Sequence, residues 1–172
     1  MKKIFALVLA LALVLTAVSA LAAGSKGGSD ISDVTTDTPE VTVSKAADNA
    51  ATSAIKKLIS DGQAGGDALA ELPEDVKAKI PADAKTVNEM ETFVLSGTLT
   101  KGNSVVLTFK FATPYTEGEA VTILLGIPGE TETEWVVLQG KGNKDGDVEV
   151  TVTKDILDKI GDKPFVVIPV SK

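Results

Sequence analysis

Four oxygen-bearing side chains, Asn143, Asp145, Asp147 and Glu149, alternate around Gly146. Hard oxygen ligands at close spacing are what calcium takes. A helix–loop–helix calcium site needs glycine at its sixth position and glutamate at its twelfth. Counted from Asn143, those positions hold Val148 and Lys154. The stretch therefore predicts a hairpin turn at Asp145-Gly146 between β-rich runs. Asn143, Asp145 and Asp147 stand as weak metal candidates, and no metal or other cofactor is expected.

Two aromatic residues are candidates for contact with a ligand. Trp135 is the only tryptophan and Tyr115 the only tyrosine. A sugar-binding surface typically presents flat rings to solvent. Trp135 shares a strand face with Val137, which predicts burial instead. Three carboxylates, Glu130, Glu132 and Glu134, follow Pro128-Gly129. A carboxylate pair can hydrolyse a glycosidic bond, but a charge run beside a turn is the pattern of a solvated surface. The Gly-Lys-Gly-Asn-Lys-Asp-Gly run at 140–146 is too short for a phosphate-binding loop and lacks a helix after it.

The absences narrow the chemistry further. The chain has no Cys and no His, and all 17 basic residues are Lys. Disulfides, thiol nucleophiles and cysteine-ligated zinc are excluded, as are a Ser-His-Asp triad and a histidine zinc site. Without Arg there is no bidentate phosphate or guanine clamp. The net charge of −7 disfavours nucleic acid and anionic membrane surfaces and favours solubility outside the cell. The composition thus points away from an enzyme.

Several elements must position these residues. Met1-Lys2-Lys3, the apolar run 4–18 and the small residues 19–24 form the three-part pattern of a secretory leader, with Ala20-Leu21-Ala22 as its cleavage site. The segment resembles bacterial signal peptides, so 1–22 is assigned as a signal peptide. Leu21-Ala22-Ala23 before a Gly/Ser-rich stretch also resembles a lipoprotein junction. Gly24 stands where the lipidated cysteine would be. The expectation is a released, extracellular protein with no stable membrane anchor after cleavage. Residues 23–43 read as a flexible tether, with a short strand possible through Val41 and Val43.

The rest, 44–172, reads as one domain. Ser44 is the expected N-cap of a helix from 45 to about 60, with a stripe through Ala47, Ala51, Ala54, Ile55, Leu58 and Ile59. Lys56 and Lys57 are placed near its end, where cations suit the helix dipole, and Gly62 is its stop. Leu69, Leu72, Val76 and Ile80 predict a second unit of two short helices broken near Pro73 and ended by Pro81. From residue 86 the period changes to two. Strands are predicted at about 89–99, 104–112, 120–127, 134–139, 147–153 and 165–170, with a turn or two of helix at 154–160 stopped by Gly161.

This mainly β series with an N-terminal helical segment (α+β) resembles a bacterial immunoglobulin-like module over residues 86–172, without the Cys…Trp…Cys signature. The resemblance implies a β-sandwich of six to seven strands. Three runs, 121–125, 135–138 and 165–168, are nearly continuously apolar. Such runs are buried on both faces. The helical segment is therefore expected to pack on one face of the sheet. The competing expectation is that this face is bare and is itself the partner site. The functional expectation is a secreted bacterial binding module whose partner is an extracellular protein or cell-surface glycan. Trp135 and Tyr115 are its candidate contact residues. A carbohydrate-binding module is the alternative, and a carboxylate-dependent hydrolase ranks last.

Overall fold

The computed structural model describes residues 30–84, 86–87 and 89–171. The expected signal peptide, its cleavage junction and residues 23–29 of the tether lie outside the described residues. The strands are β1 (Ile31–Thr36), β2 (Val41–Lys45), β3 (Thr86–Val87), β4 (Glu91–Gly97), β5 (Ser104–Phe111), β6 (Ala120–Pro128), β7 (Thr133–Gly142), β8 (Val148–Thr153) and β9 (Phe165–Ser171). The helices are α1 (Ala50–Ala64), α2 (Glu74–Lys77) and α3 (Lys154–Ile160).

The strands form one antiparallel sheet in the order β1-β5-β8-β7-β6-β9-β4-β2, with β3 also paired to β9. The two end strands, β1 and β2, are consecutive in the chain. The turn between them nearly closes the sheet. Thr36 Oγ1 donates to the Val41 carbonyl at 2.6 Å, and the Val41 amide to the Thr38 carbonyl at 3.1 Å. Two carboxylates pin this seam. Asp37 accepts from the Val106 amide of β5 at 3.0 Å. Glu40 accepts from the Thr100 hydroxyl at 2.7 Å and the Thr100 amide at 3.1 Å. Gly97 has a φ of +102°, and a Cβ there would lie 1.9 Å from the Glu40 carbonyl oxygen, so only glycine fits against the turn.

The mainly β expectation holds, but a single sheet curls on itself where two stacked sheets were expected. The difference arises in the first strands. Residues 31–43, read as the end of a tether with a short strand through Val41 and Val43, supply with Ser44 and Lys45 both edges of the sheet. Ile31 and Val41 are fully buried and Val34 nearly so. The later strands fall close to their predicted positions.

Alternation sorts the side chains into two layers. Inside the curled sheet, Val105, Leu107, Phe109 and Phe111 of β5 meet Val148, Val150 and Val152 of β8. Phe93 and Phe165 face each other across β4 and β9, their ring centres 6.5 Å apart. The residues between are the wet outer face: Thr108, Lys110, Glu149, Thr151.

β6, β7 and β9 are different. Val121, Ile123, Leu125 and Val167 point into the interior. Leu124, Val137, Val166, Ile168 and Val170 point outward into a second apolar cluster. The helical segment supplies its other half through Ile55, Ile59, Leu72, Val76 and Ile80. The helices cover this face, so the bare-face expectation is overturned. Fully burying each of these Ile and Leu side chains contributes ~1.5–3 kcal/mol.

The helix boundaries shift from expectation. Ser44 and Lys45 belong to β2, held by pairing with Val94 and Phe93. Asn49 caps α1 instead, its side-chain oxygen accepting from the Thr52 amide while Thr52 Oγ1 accepts from the Asn49 amide, both at 2.9 Å. In the second unit only Glu74–Lys77 is α-helical, with Pro73 at its N-cap. Residues 68–72 are turns. α3 ends at Gly161 as expected.

Candidate binding surface

Helix α1 has two faces with different fates. Thr52, Ile55 and Ile59 are buried against the sheet. Ala54, Lys57 and Asp61 face solvent, with Leu58 half-buried at the border. Past Ala64 the chain turns back along the helix. The Asp67 amide donates to the Gly62 carbonyl at 3.0 Å, and the Gly66 amide to the Gln63 carbonyl at 3.1 Å. The returning segment passes so close that a Cβ on Gly62 would lie 2.7 Å from the Asp67 carbonyl oxygen. Asp67 fixes the turn by accepting from the Leu69 amide at 3.0 Å. Ala68, Leu69 and Leu72 then enter the outer cluster, and Ala70 and Glu71 remain exposed.

Between the end of α1 and this returning segment lies an open cleft of about 560 Å³. Its uncharged lining comes from Ala54, Leu58, Gly62, Gly65 and Ala70. Lys57, Asp61, Asp67 and Glu71 complete it, three carboxylates against one ammonium. Lys57 is engaged by Asp61 at 2.5 Å. An apolar floor with a charged rim suits a polypeptide side chain.

Asp48, just before α1, is tied to the sheet. It accepts a short hydrogen bond from the buried Thr92 hydroxyl and pairs with Lys56 at 2.9 Å. Both interactions, the Thr92 bond foremost, hold its carboxyl below the ordinary carboxylate range.

The residues singled out in the sequence are not brought together. Tyr115 is buried in the interior cluster, its ring edge-on to Phe111 with centres 5.0 Å apart. It cannot serve as a ligand platform without leaving the core. Trp135 is half-buried in the outer cluster, and its ring lies over Gly126 beside Ile55. Glu130, Glu132 and Glu134 are exposed, and Glu134 lies 3.4 Å from Lys159.

The loop at 143–147 is a turn organised by its own asparagine. Asn143 Oδ1 accepts from the Asp145 and Asp147 amides at 2.9 and 3.0 Å, and Asn143 Nδ2 donates to Glu149 at 3.0 Å. The oxygen proposed as a metal ligand is thus already committed to backbone amides. Among the described residues, no group of three or more acidic side chains is arranged to hold a metal ion. None of the helices described is long and apolar enough to cross a membrane.

The cleft itself was missed in the sequence. Its only signal there is the cluster Gly62, Gly65 and Gly66 next to a helix end. No protein-family model matches the chain, and no curated protein or solved structure shows significant similarity to it.

Proposed function

We propose that this is a secreted bacterial binding module without catalytic activity, and that it docks an extracellular or cell-surface protein at the cleft beside α1. The observation that carries this reading is an open cleft with a partly apolar lining beside α1. The interior of the curled sheet is filled by side chains such as Leu107, Ile123, Leu125 and Phe165, as expected for a small closed sheet. The outer face of β6 and β9 is sealed by the helices. The cleft remains open, with an apolar floor. The leader-like segment at 1–22 and the acidic composition support an extracellular setting. The resemblance to immunoglobulin-like modules is a supporting analogy of strand pattern only. The glycan reading keeps half-buried Trp135 but loses Tyr115 to the core.

The test is capture of partners from cell-surface extracts and polysaccharides by the wild-type chain and by Ala54→Tyr. Ala54 is exposed, so the substitution fills the cleft at little cost to the fold. A protein retained by wild type and lost by the variant is the expected result. Equal capture by both sinks the cleft as the docking site, and retention of polysaccharide alone sinks the protein-partner reading.

A further inference from the structure

β7 has a strand on each side, but the two neighbours pair with it unequally. β6 follows it from Ala120↔Lys141 to Pro128↔Thr133 without a break in register. β8 meets it only at Gly140, Lys141 and Gly142. Among the described residues, 133–138 therefore have a ladder along one edge alone.

The phase of the hydrogen bonds shows which groups this leaves open. The Gly118 amide donates to the Gly142 carbonyl and the Gly142 amide to the Glu119 carbonyl, both at 2.8 Å, on the β6 side. The Asn143 amide donates to the Asp147 carbonyl at 2.8 Å, on the β8 side. Both backbone groups of one residue point the same way in an antiparallel strand, and successive residues alternate. Trp135 and Val137 thus turn amide and carbonyl toward the edge that β8 has left. Among the described residues, no backbone hydrogen bond outside the sheet ladders reaches them.

The side chains along this edge are apolar on both faces. Trp135 and Val137 border the outer cluster, and Val136 borders the interior one with Ile156 of α3. All four are half-buried, whereas Ile123, Leu124 and Leu125 of neighbouring β6 are fully buried. Sheet edges are ordinarily guarded by charge, proline or a bulge. β1 has its bulge between Ile31 and Asp33, and β2 has Lys45, paired with Glu91 at 3.0 Å. Residues 135–138 carry none of the three.

We infer that this edge is where two copies of the chain associate, β7 of one adding antiparallel to β7 of the other about a two-fold axis at Val136. The strand's own chemistry fits it to itself. Edge-directed residues must face edge-directed residues, so Trp135 lies opposite Val137 of the second copy and exchanges both backbone hydrogen bonds with it. Aromatic against β-branched is a favourable cross-strand pair. Val136 meets Val136, and Glu134 meets Leu138, so no like charges are opposed. The pairing uses both open edges at once and stops at two copies. It involves none of the residues of the cleft beside α1. The contact is shorter than a standard interface of ~1,200–2,000 Å², which makes a weak dimer.

The test is sedimentation of the full chain from ~5 to ~500 μM, with amide exchange followed at both ends of that range. A monomer–dimer equilibrium with nothing larger is expected. Protection of the Trp135 and Val137 amides should rise at least ~5-fold with concentration, while Lys110 on the distant wet face stays unchanged. Val136→Lys and Val136→Glu each set like charges opposite one another and should be monomeric alone. Their equimolar mixture should dimerise again, because lysine then faces glutamate. Position 136 is half-buried, so either charge can reach water in the monomer.

A wild type that stays monomeric overturns the inference, as does a dimer whose Trp135 and Val137 amides gain no protection. Species that grow beyond two copies overturn it too. Dimers of Val136→Lys and of Val136→Glu formed separately would place the interface elsewhere. A mixture that stays monomeric, although both variants unfold cooperatively, would reject the two-fold at Val136. If the variants do not fold, the concentration dependence of wild-type exchange decides alone.

Discussion

The two outer faces of the sheet are held by different physics. Over β6 and β9 the face is apolar and roofed by helices, with Leu124, Ile168 and Val170 meeting Ile55, Ile59 and Leu72, while Trp135 and Val137 of β7 are half-buried at its border. Over β1, β5 and β8 the face is polar and wet, presenting Thr108, Lys110, Glu149 and Thr151. The edge of the wet side is pinned by hydrogen bonds that Asp37 and Glu40 accept from Val106 and Thr100, beside the buried Ile31, Val34 and Val41. One sheet therefore carries two regimes. Its roofed side should be intolerant of polarity and indifferent to pH. Its wet side should be the reverse.

The largest expected effect is a matched pair of substitutions. Leu124 is fully buried on the roofed face. Leu124→Asp would place a carboxylate there with no partner, costing ~4 kcal/mol or more. Thr151 is exposed on the wet face, and Thr151→Asp should stay within ~0.5 kcal/mol. Denaturant unfolding of both variants measures the contrast. Similar destabilisation by the two would mean the helices do not seal the roofed face.

A second contrast sharpens how closely the roof fits. A Cβ on Gly126 would lie 2.7 Å from Ile55 Cγ2 and 3.1 Å from the Trp135 ring. Gly126→Ala should therefore cost ~1–3 kcal/mol by overpacking, against the small gain that alanine normally brings to a strand. In the double variant with Ile55→Ala the two costs should fall short of their sum by at least ~0.5 kcal/mol, because the added methyl enters space that Ile55 vacates. Strict additivity would place Ile55 out of contact with Gly126. Trp135 lies on the same spot, so its fluorescence should report the shift.

Much of this contrast was legible in the chain. The nearly continuous apolar runs at 121–125 and 165–168 announced a doubly buried face, and the alternation of 148–153 announced a wet one; the third apolar run, 135–138, announced double burial too, but Trp135, Val136 and Val137 are only half-buried. β1 was not legible, and its register shows why. A bulge between Ile31 and Asp33 puts Ile31 and Val34 on the same side three residues apart. That spacing breaks the period of two, and Ser32, Asp33, Thr35 and Thr36 have the composition of a tether. The start of α1 was ambiguous because Ser44 and Asn49 are both good caps. Only the pairing of Lys45 with Phe93 across β2 and β4 decides between them. Tyr115 looked like a surface residue because nothing local reveals that Phe111 receives its ring. The cleft depends on a backbone reversal after Ala64, and the glycines that permit that reversal carry no record of what it encloses.

The smallest expected effect is on the wet side's seam, and it is local. The Asp37 carboxyl is held below its ordinary range mainly by the Val106 amide, and that of Glu40 mainly by the Thr100 hydroxyl. A carboxyl with a lowered folded-state pKa adds stability above its ordinary pKa, and that contribution disappears as pH falls through the folded value. With ordinary values of 3.8 and 4.5, the seam should be fully pinned at neutral pH and should loosen as the solution is acidified below that range. Both groups are solvent-exposed, so the loss is of local order rather than of the fold. Amide exchange at Val106 and Thr100, corrected for the intrinsic pH dependence of exchange, should show protection falling with acid, while protection at Leu124 and Val166 under the roof stays flat. In Asp37→Asn with Glu40→Gln the side-chain oxygens can still accept but no longer titrate in this range, so the acid dependence at Val106 and Thr100 should vanish. Acid loosening that persists unchanged in that double variant would show that the seam is not held by these carboxylates.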